Sequence, residues 1–170
     1  MAGFGLAART LGRNADPYRI AGFGAVAGLF AFAAVIFSAP LESVLLFRIG
    51  TTLIGFGGGL FAAGTLTAAM AIARDGESGL ALGTWGAVQA SAAGGGIALG
   101  GGIRDGVSSL ATNGVLGRAL TDPATGYSVV YHIEIALLFA TLVAIGPLVR
   151  TARTRFSRPS SKFGLAEFPG

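Results

Sequence analysis

The chain has 170 residues, of which 52% are hydrophobic, 12% charged, 29 glycine and none cysteine, and its formal net charge is +4. A soluble domain carries roughly 25% charged residues, so a water-facing surface of this composition would be largely apolar and would aggregate. That excludes an ordinary cytosolic enzyme, a disordered chain, a nucleic-acid binder and a disulfide-stapled secreted module, and leaves a polytopic membrane protein.

Met1 to Ala8 is apolar but too short to cross a bilayer, and it has no charged leader or cleavage site. It reads as a lead-in on the membrane surface or as the stub of an earlier helix. Three charge-free runs follow: Ile20 to Leu41, Ile49 to Ala73 and Ser78 to Ile103. Crossing ~30 Å of hydrocarbon at 1.5 Å per residue needs about 20 residues, and each run supplies them. A fourth, Gly126 to Val149, carries only His132 and Glu134 near its start. These runs do not alternate polar with apolar residues as barrel strands would, and helices satisfy their own backbone in lipid. The expected fold is an all-α polytopic transmembrane bundle with four spans, near 20–40, 44–73, 79–103 and 127–149. The second is long enough to require tilt. Residues 1–19 form an N-terminal segment, 104–126 a loop and 150–170 a basic tail.

Orientation follows from the basic residues of the loops. Arg9, Arg13, Arg19, Arg74, Arg150, Arg153, Arg155, Arg158 and Lys162 fall on one side, and Arg48, Arg104 and Arg118 on the other. This places both termini in the cytoplasm and 104–126 in the periplasm. Pro159-Ser160-Ser161 marks the tail as mobile, with a basic cluster able to rest on anionic membrane lipids.

The glycines lie inside the spans. Pairs four residues apart occur at Gly24/Gly28, Gly55/Gly59, Gly79/Gly83 and Gly96/Gly100. Residues so spaced share a helix face and let two backbones approach closely, which replaces the hydrophobic drive that lipid removes. Tight helix packing is the general reading, and a planar ligand against the flat backbone the specific one. The denser runs Gly55-Phe56-Gly57-Gly58-Gly59, Gly94-Gly95-Gly96 and Gly100-Gly101-Gly102 suggest bending points.

Polar side chains at depth are few. Gln89 follows Trp85 by four residues and shares its face, so its amide needs another helix or a ligand as partner. His132 stands near the start of the fourth span beside Tyr127 and Tyr131. It reads either as a ligand for a chlorin magnesium or as a hydrated member of an aromatic belt. Phe23, Phe30, Phe32 and Phe37 offer surface to lipid or to pigment tails. Arg104-Asp105 reads as a surface pair. One histidine, no cysteine and no carboxylate pair in the spans leave no catalytic set and no metal cluster, so no enzyme is expected.

Gly79-Leu80-Ala81-Leu82-Gly83-Thr84-Trp85-Gly86-Ala87-Val88-Gln89-Ala90 followed by Gly94-Gly95-Gly96 resembles the eleventh helix of the PucC-type bacteriochlorophyll-delivery family, a branch of the major facilitator superfamily. Gly126-Tyr127-Ser128-Val129-Val130-Tyr131-His132-Ile133-Glu134-Ile135 resembles that family's twelfth helix. Gly5-Leu6-Ala7-Ala8-Arg9 with Gly12-Arg13 resembles the cytoplasmic loop after its eighth. Members have twelve helices, so the resemblance sets this chain against the last four and the end of the eighth. It implies a non-enzymatic protein of the photosynthetic inner membrane. Such a protein serves as assembly factor or accessory subunit of light-harvesting or reaction-centre complexes. The implied partners are antenna polypeptides. The implied cofactor is bacteriochlorophyll, with His132, Trp85 and Gln89 as its candidate contacts. The alternatives are half of a small-solute facilitator completed by a second chain, and a truncated remnant.

Overall fold

The structure, a computed structural model, describes residues 2–11, 15–73 and 76–156. Gly12, Arg13, Arg74, Arg158, Lys162 and Pro159-Ser160-Ser161, all used in the sequence reading, lie outside the described residues. Five α-helices follow in order: α1 (Ala2–Leu11), α2 (Pro17–Ser38), α3 (Val44–Ile72), α4 (Ser78–Thr112) and α5 (Thr125–Phe156). A short 3-10 turn spans Arg118–Leu120, and no strand occurs among the described residues.

Local chemistry sets the helix ends. The Asp16 carboxylate accepts the Tyr18 N–H at 2.9 Å, and Pro17, whose missing N–H costs nothing in a first turn, opens α2. The Ser43 hydroxyl accepts the Leu46 N–H at 3.2 Å and opens α3. Between them Glu42 turns the chain at φ 46°, in the left-handed region that residues other than glycine seldom adopt. At the far end of α4, Gly114 takes φ 73°. The N–H of Val115 donates to the Leu110 carbonyl at 3.0 Å and that of Gly114 to Ala111 at 2.9 Å. Those two bonds form a Schellman stop.

Two boundaries differ from expectation. α4 runs nine residues past Ile103, because Arg104 and Asp105 mark a polar surface but do not break a helix; the break waits for Gly114. α5 continues through Phe156, so the backbone of 150–156, expected as tail, is helical. The N-terminal stub is a helix as well.

α2, α3 and α5 are long and apolar enough to cross a membrane. α4 is longer than any of them but its glycines, Gln89 and hydroxyl residues dilute its apolarity, so by composition three of the four expected spans qualify. The path of the chain nonetheless takes α4 from one end of the bundle to the other. α2 and α3 are antiparallel. Gly28 meets Leu138 and Phe32 stacks near Tyr131, so α5 also runs antiparallel to α2 and hence parallel to α3. α4 must then return the chain to the level where α3 began.

The α2/α3 pair is the heart of the bundle. Gly50, Gly57 and Gly64, seven residues apart, face Ala31 and Val35, then Gly24, then Ala21 and Pro17. A seven-residue repeat keeps one seam of each helix against the other in a shallow left-handed wrap. At each glycine the neighbour lies so close that an added Cβ would stand 2.6 to 2.7 Å from it: Val35 Cγ2 at Gly50, the Gly24 carbonyl at Gly57 and the Ala21 nitrogen at Gly64. α1 closes one side, with Gly3 against the Phe56 backbone and Ala7 buried with Ile20, Leu60 and Ala63.

Candidate functional site

The predicted glycine faces divide. Gly24 and Gly28 lie in contact with α3 and α5, and Gly59 holds α1, where an added Cβ would stand 3.0 Å from the Phe4 nitrogen. Gly100 has ordinary contact with Val130. Gly55, Gly79, Gly83 and Gly96 face no neighbour within 4 Å among the described residues. The four-residue spacing therefore picked out the α2 seam, whereas the α3 seam repeats every seven residues through Gly50, Gly57 and Gly64. Reading glycines at seven as well as four would have found it. Gly3 and Gly126 were also missed, since neither belongs to a spaced pair.

α4 touches the bundle at its two ends. Near its start, the Trp85 indole N–H donates to the Thr65 hydroxyl of α3 at 3.2 Å. Gln89, one turn on, is half-buried, and among the described residues its amide has no hydrogen-bond partner. Near its end, Gly126 of α5 sits directly on Ser108 and the Arg104 carbonyl, leaving no room for a Cβ. The Ser108 hydroxyl donates to the Pro123 carbonyl at 2.9 Å. Arg104 donates to the Tyr127 hydroxyl at 2.8 Å, lies 5.1 Å from the centre of that ring, and pairs with Asp105. Asp105 first, then Tyr127, holds the Arg104 guanidinium charged to above its ordinary range. Between these ends Gly100 meets Val130, while Gly86, Gly94, Gly95, Gly96, Gly101 and Gly102 have no neighbour within 4 Å among the described residues, and Val88, Ile97 and Leu99 are exposed.

His132 lies two turns into α5 and is exposed. Its Nδ1 stands 2.7 Å from the Ser128 carbonyl. A carbonyl only accepts, so Nδ1 is the donor of this bond and Nε2 is the ring nitrogen that it leaves uncommitted. Tyr131, beside it, links Tyr127 (6.3 Å between ring centres) to Phe32 of α2 (5.7 Å). An imidazole nitrogen is a donor that a chlorin magnesium would take, so His132 fits the group in its donor chemistry. Trp85 fits it less well, because its one polar hydrogen is committed to Thr65.

The three candidate cofactor contacts do not form one site. Gly100 is level with Val130, so His132 is level with residues near 98 of α4. At 1.5 Å per residue Gln89 is then about 14 Å, and Trp85 about 20 Å, away along the helix axis. Glu134, one turn below Val130, lines a separate cavity of about 280 Å³ among α2, α3 and α5, walled by Gly28, Phe32, Phe61 and Leu138. A larger groove of about 830 Å³ follows the outer face of α2.

Comparison with known proteins agrees with the helix motifs. The model of the family described as "PUCC protein" matches residues 1–153. An "Uncharacterized protein in puhA-bchM intergenic region" of Rhodobacter capsulatus is 46% identical over 172 residues, covering 99% of this chain and 36% of that protein. "Protein PucC" of Cereibacter sphaeroides is 45% identical over 152 residues, 89% of this chain and 32% of its own length. "Protein PucC" of Rhodovulum sulfidophilum is 57% identical over 107 residues, 63% of this chain and 24% of its own. The chain thus spans about a third of the length of the curated relatives it matches. No solved structure matches.

Proposed function

Because the chain belongs to the PUCC protein family, we propose that this membrane protein associates with light-harvesting or reaction-centre complexes of a phototrophic bacterium, as an antenna assembly factor or accessory subunit. The observation that carries the reading is the family match across residues 1–153, which takes in α1 to α4 and all but the last residues of α5. Its location is the photosynthetic inner membrane, with both termini cytoplasmic. The mechanism is binding rather than catalysis. α4 presents an uncovered glycine face between its two anchored ends, and a helix with small residues admits another helix closely. Helices of antenna polypeptides are the partners that use it.

The finer part of the proposal concerns pigment. His132 holds bacteriochlorophyll through Nε2, with the Ser128 carbonyl fixing the ring tautomer and orientation. When bound, the pigment would supply light absorption and a magnesium able to take a nitrogen donor. Tyr127, Tyr131 and Phe32 provide the aromatic surface next to it.

Purification in mild detergent from phototrophically grown cells tests both parts. Antenna polypeptides and bacteriochlorophyll absorbance should co-migrate with the chain, and His132→Ala should lower the pigment content while leaving the antenna polypeptides in place. Unchanged pigment in His132→Ala removes the ligand assignment. A stoichiometric second facilitator-like half, without pigment or antenna, replaces the whole reading with that of a divided transporter.

A further inference from the structure

The outer face of α2 carries a stripe that takes no part in the α2/α3 seam and stands apart from the His132 site. Arg19, Phe23, Val26 and Phe30 follow one another at spacings of four, three and four, so they share one face. That face is open: Phe23 is 62% and Phe30 68% exposed. All four residues line the groove of about 830 Å³, whose opposite wall is made by Leu6 of α1 and Phe56 of α3.

The groove is polar at one end only. Arg19 stands in the first turn of α2, with Asp16 and Thr10 beside it; the rest of the lining is apolar. The Asp16 carboxylate is turned to the Tyr18 N–H that it caps, and the Thr10 hydroxyl donates to the Leu6 and Ala7 carbonyls. Arg19 has no ion-pair partner among the described residues. A cation at the end of a span, where the lipid headgroups lie, followed by about 16 Å of apolar surface from Arg19 to Phe30, repeats the order of one leaflet of a bilayer. The groove contains no imidazole, so a chlorin magnesium finds no nitrogen donor there.

We propose that this groove is a binding site for an anionic phospholipid, with its phosphate on the Arg19 guanidinium and an acyl chain along Phe23, Val26 and Phe30. Charge complementarity selects the headgroup, and the open aromatic stripe holds the chain. The site is distinct from His132: the part of α5 that lines the groove is Val149, more than four turns further along that helix.

Delipidated protein titrated in detergent with phosphatidylglycerol or with phosphatidylcholine of the same chains, and followed by native mass spectrometry, reads the site directly. One phosphatidylglycerol per chain should be retained, about fivefold in preference to phosphatidylcholine, the preference expected of one interfacial arginine. Arg19→Gln should abolish the preference and Arg19→Lys should keep it, because the requirement is for a cation. Phe23→Ala with Phe30→Ala should weaken both lipids equally. Arg19 is exposed, and an unchanged Trp85 emission spectrum verifies that each variant is folded. Equal retention of the two lipids, or a preference that survives Arg19→Gln, overturns the proposal. So does a photo-crosslinker placed at Phe30 that captures a polypeptide rather than lipid in native membranes.

Discussion

Gly24 and Gly57 meet backbone to backbone and reciprocally: a Cβ on the first would lie 2.6 Å from the Gly57 carbonyl oxygen, and a Cβ on the second 2.7 Å from that of Gly24. Neither partner is a flexible side chain that can step aside. Gly57→Ala must therefore push α2 and α3 apart, at about 1–3 kcal/mol for such overpacking. Gly55→Ala, two residues earlier on the same helix, meets nothing within 4 Å and should leave stability unchanged or slightly raised. Detergent-denaturation midpoints of the two variants make the comparison; equal midpoints would contradict the seven-residue seam.

The single tryptophan reports on the α3/α4 contact. Thr65→Val removes the acceptor of the Trp85 indole N–H and should cost about 0.6 kcal/mol, the typical worth of such a bond between membrane helices. Trp85 emission should shift to shorter wavelength in Thr65→Val and stay unchanged in Thr65→Ser, which retains the hydroxyl.

At the α4/α5 corner, shape should outweigh charge. Gly126→Ala has no space beside Ser108 and the Arg104 carbonyl, and a loss of about 1–3 kcal/mol is expected. Arg104→Gln, at an exposed position, should change stability much less. Asp105, then Tyr127, raise the Arg104 pKa further above an already strongly basic range, so its contribution is present throughout the physiological range and is lost only in extreme alkali. Denaturation midpoints measured across physiological pH should therefore show no step from this contact.

Gly114 terminates α4 in a left-handed conformation, which disfavours any side chain and a β-branched one most. Gly114→Val should destabilise by about 1–2 kcal/mol, and circular dichroism should show no helix lost elsewhere.

The crossing of α4 is testable because the chain has no native cysteine. Single substitutions Glu42→Cys and Leu116→Cys should react with an impermeant thiol reagent from the same face of the membrane, and Ala8→Cys and Glu77→Cys from the other. Labelling of Leu116→Cys together with Glu77→Cys would mean that α4 does not cross.

Much was legible in the sequence, for definite reasons. Charge-free runs of 22 or more residues have one stable fate in lipid, the helix, so the all-α class and the approximate positions of the long helices followed from backbone hydrogen bonding. The PUCC kinship was readable in the Trp85 and His132 segments. Helix ends were less legible where a charge stood in for a stop: Arg104 and Asp105 signal the edge of an apolar run, whereas only the backbone of Gly114 ends the helix. Tertiary structure alone decided which of 29 glycines pack. Spacing shows that two glycines share a face but not which way that face points, and so Gly57 lies against Gly24 while Gly55 faces open space. It also decided that His132, Gln89 and Trp85 stand apart, because the level at which antiparallel helices meet is set by their connections and seams, which no single helix encodes.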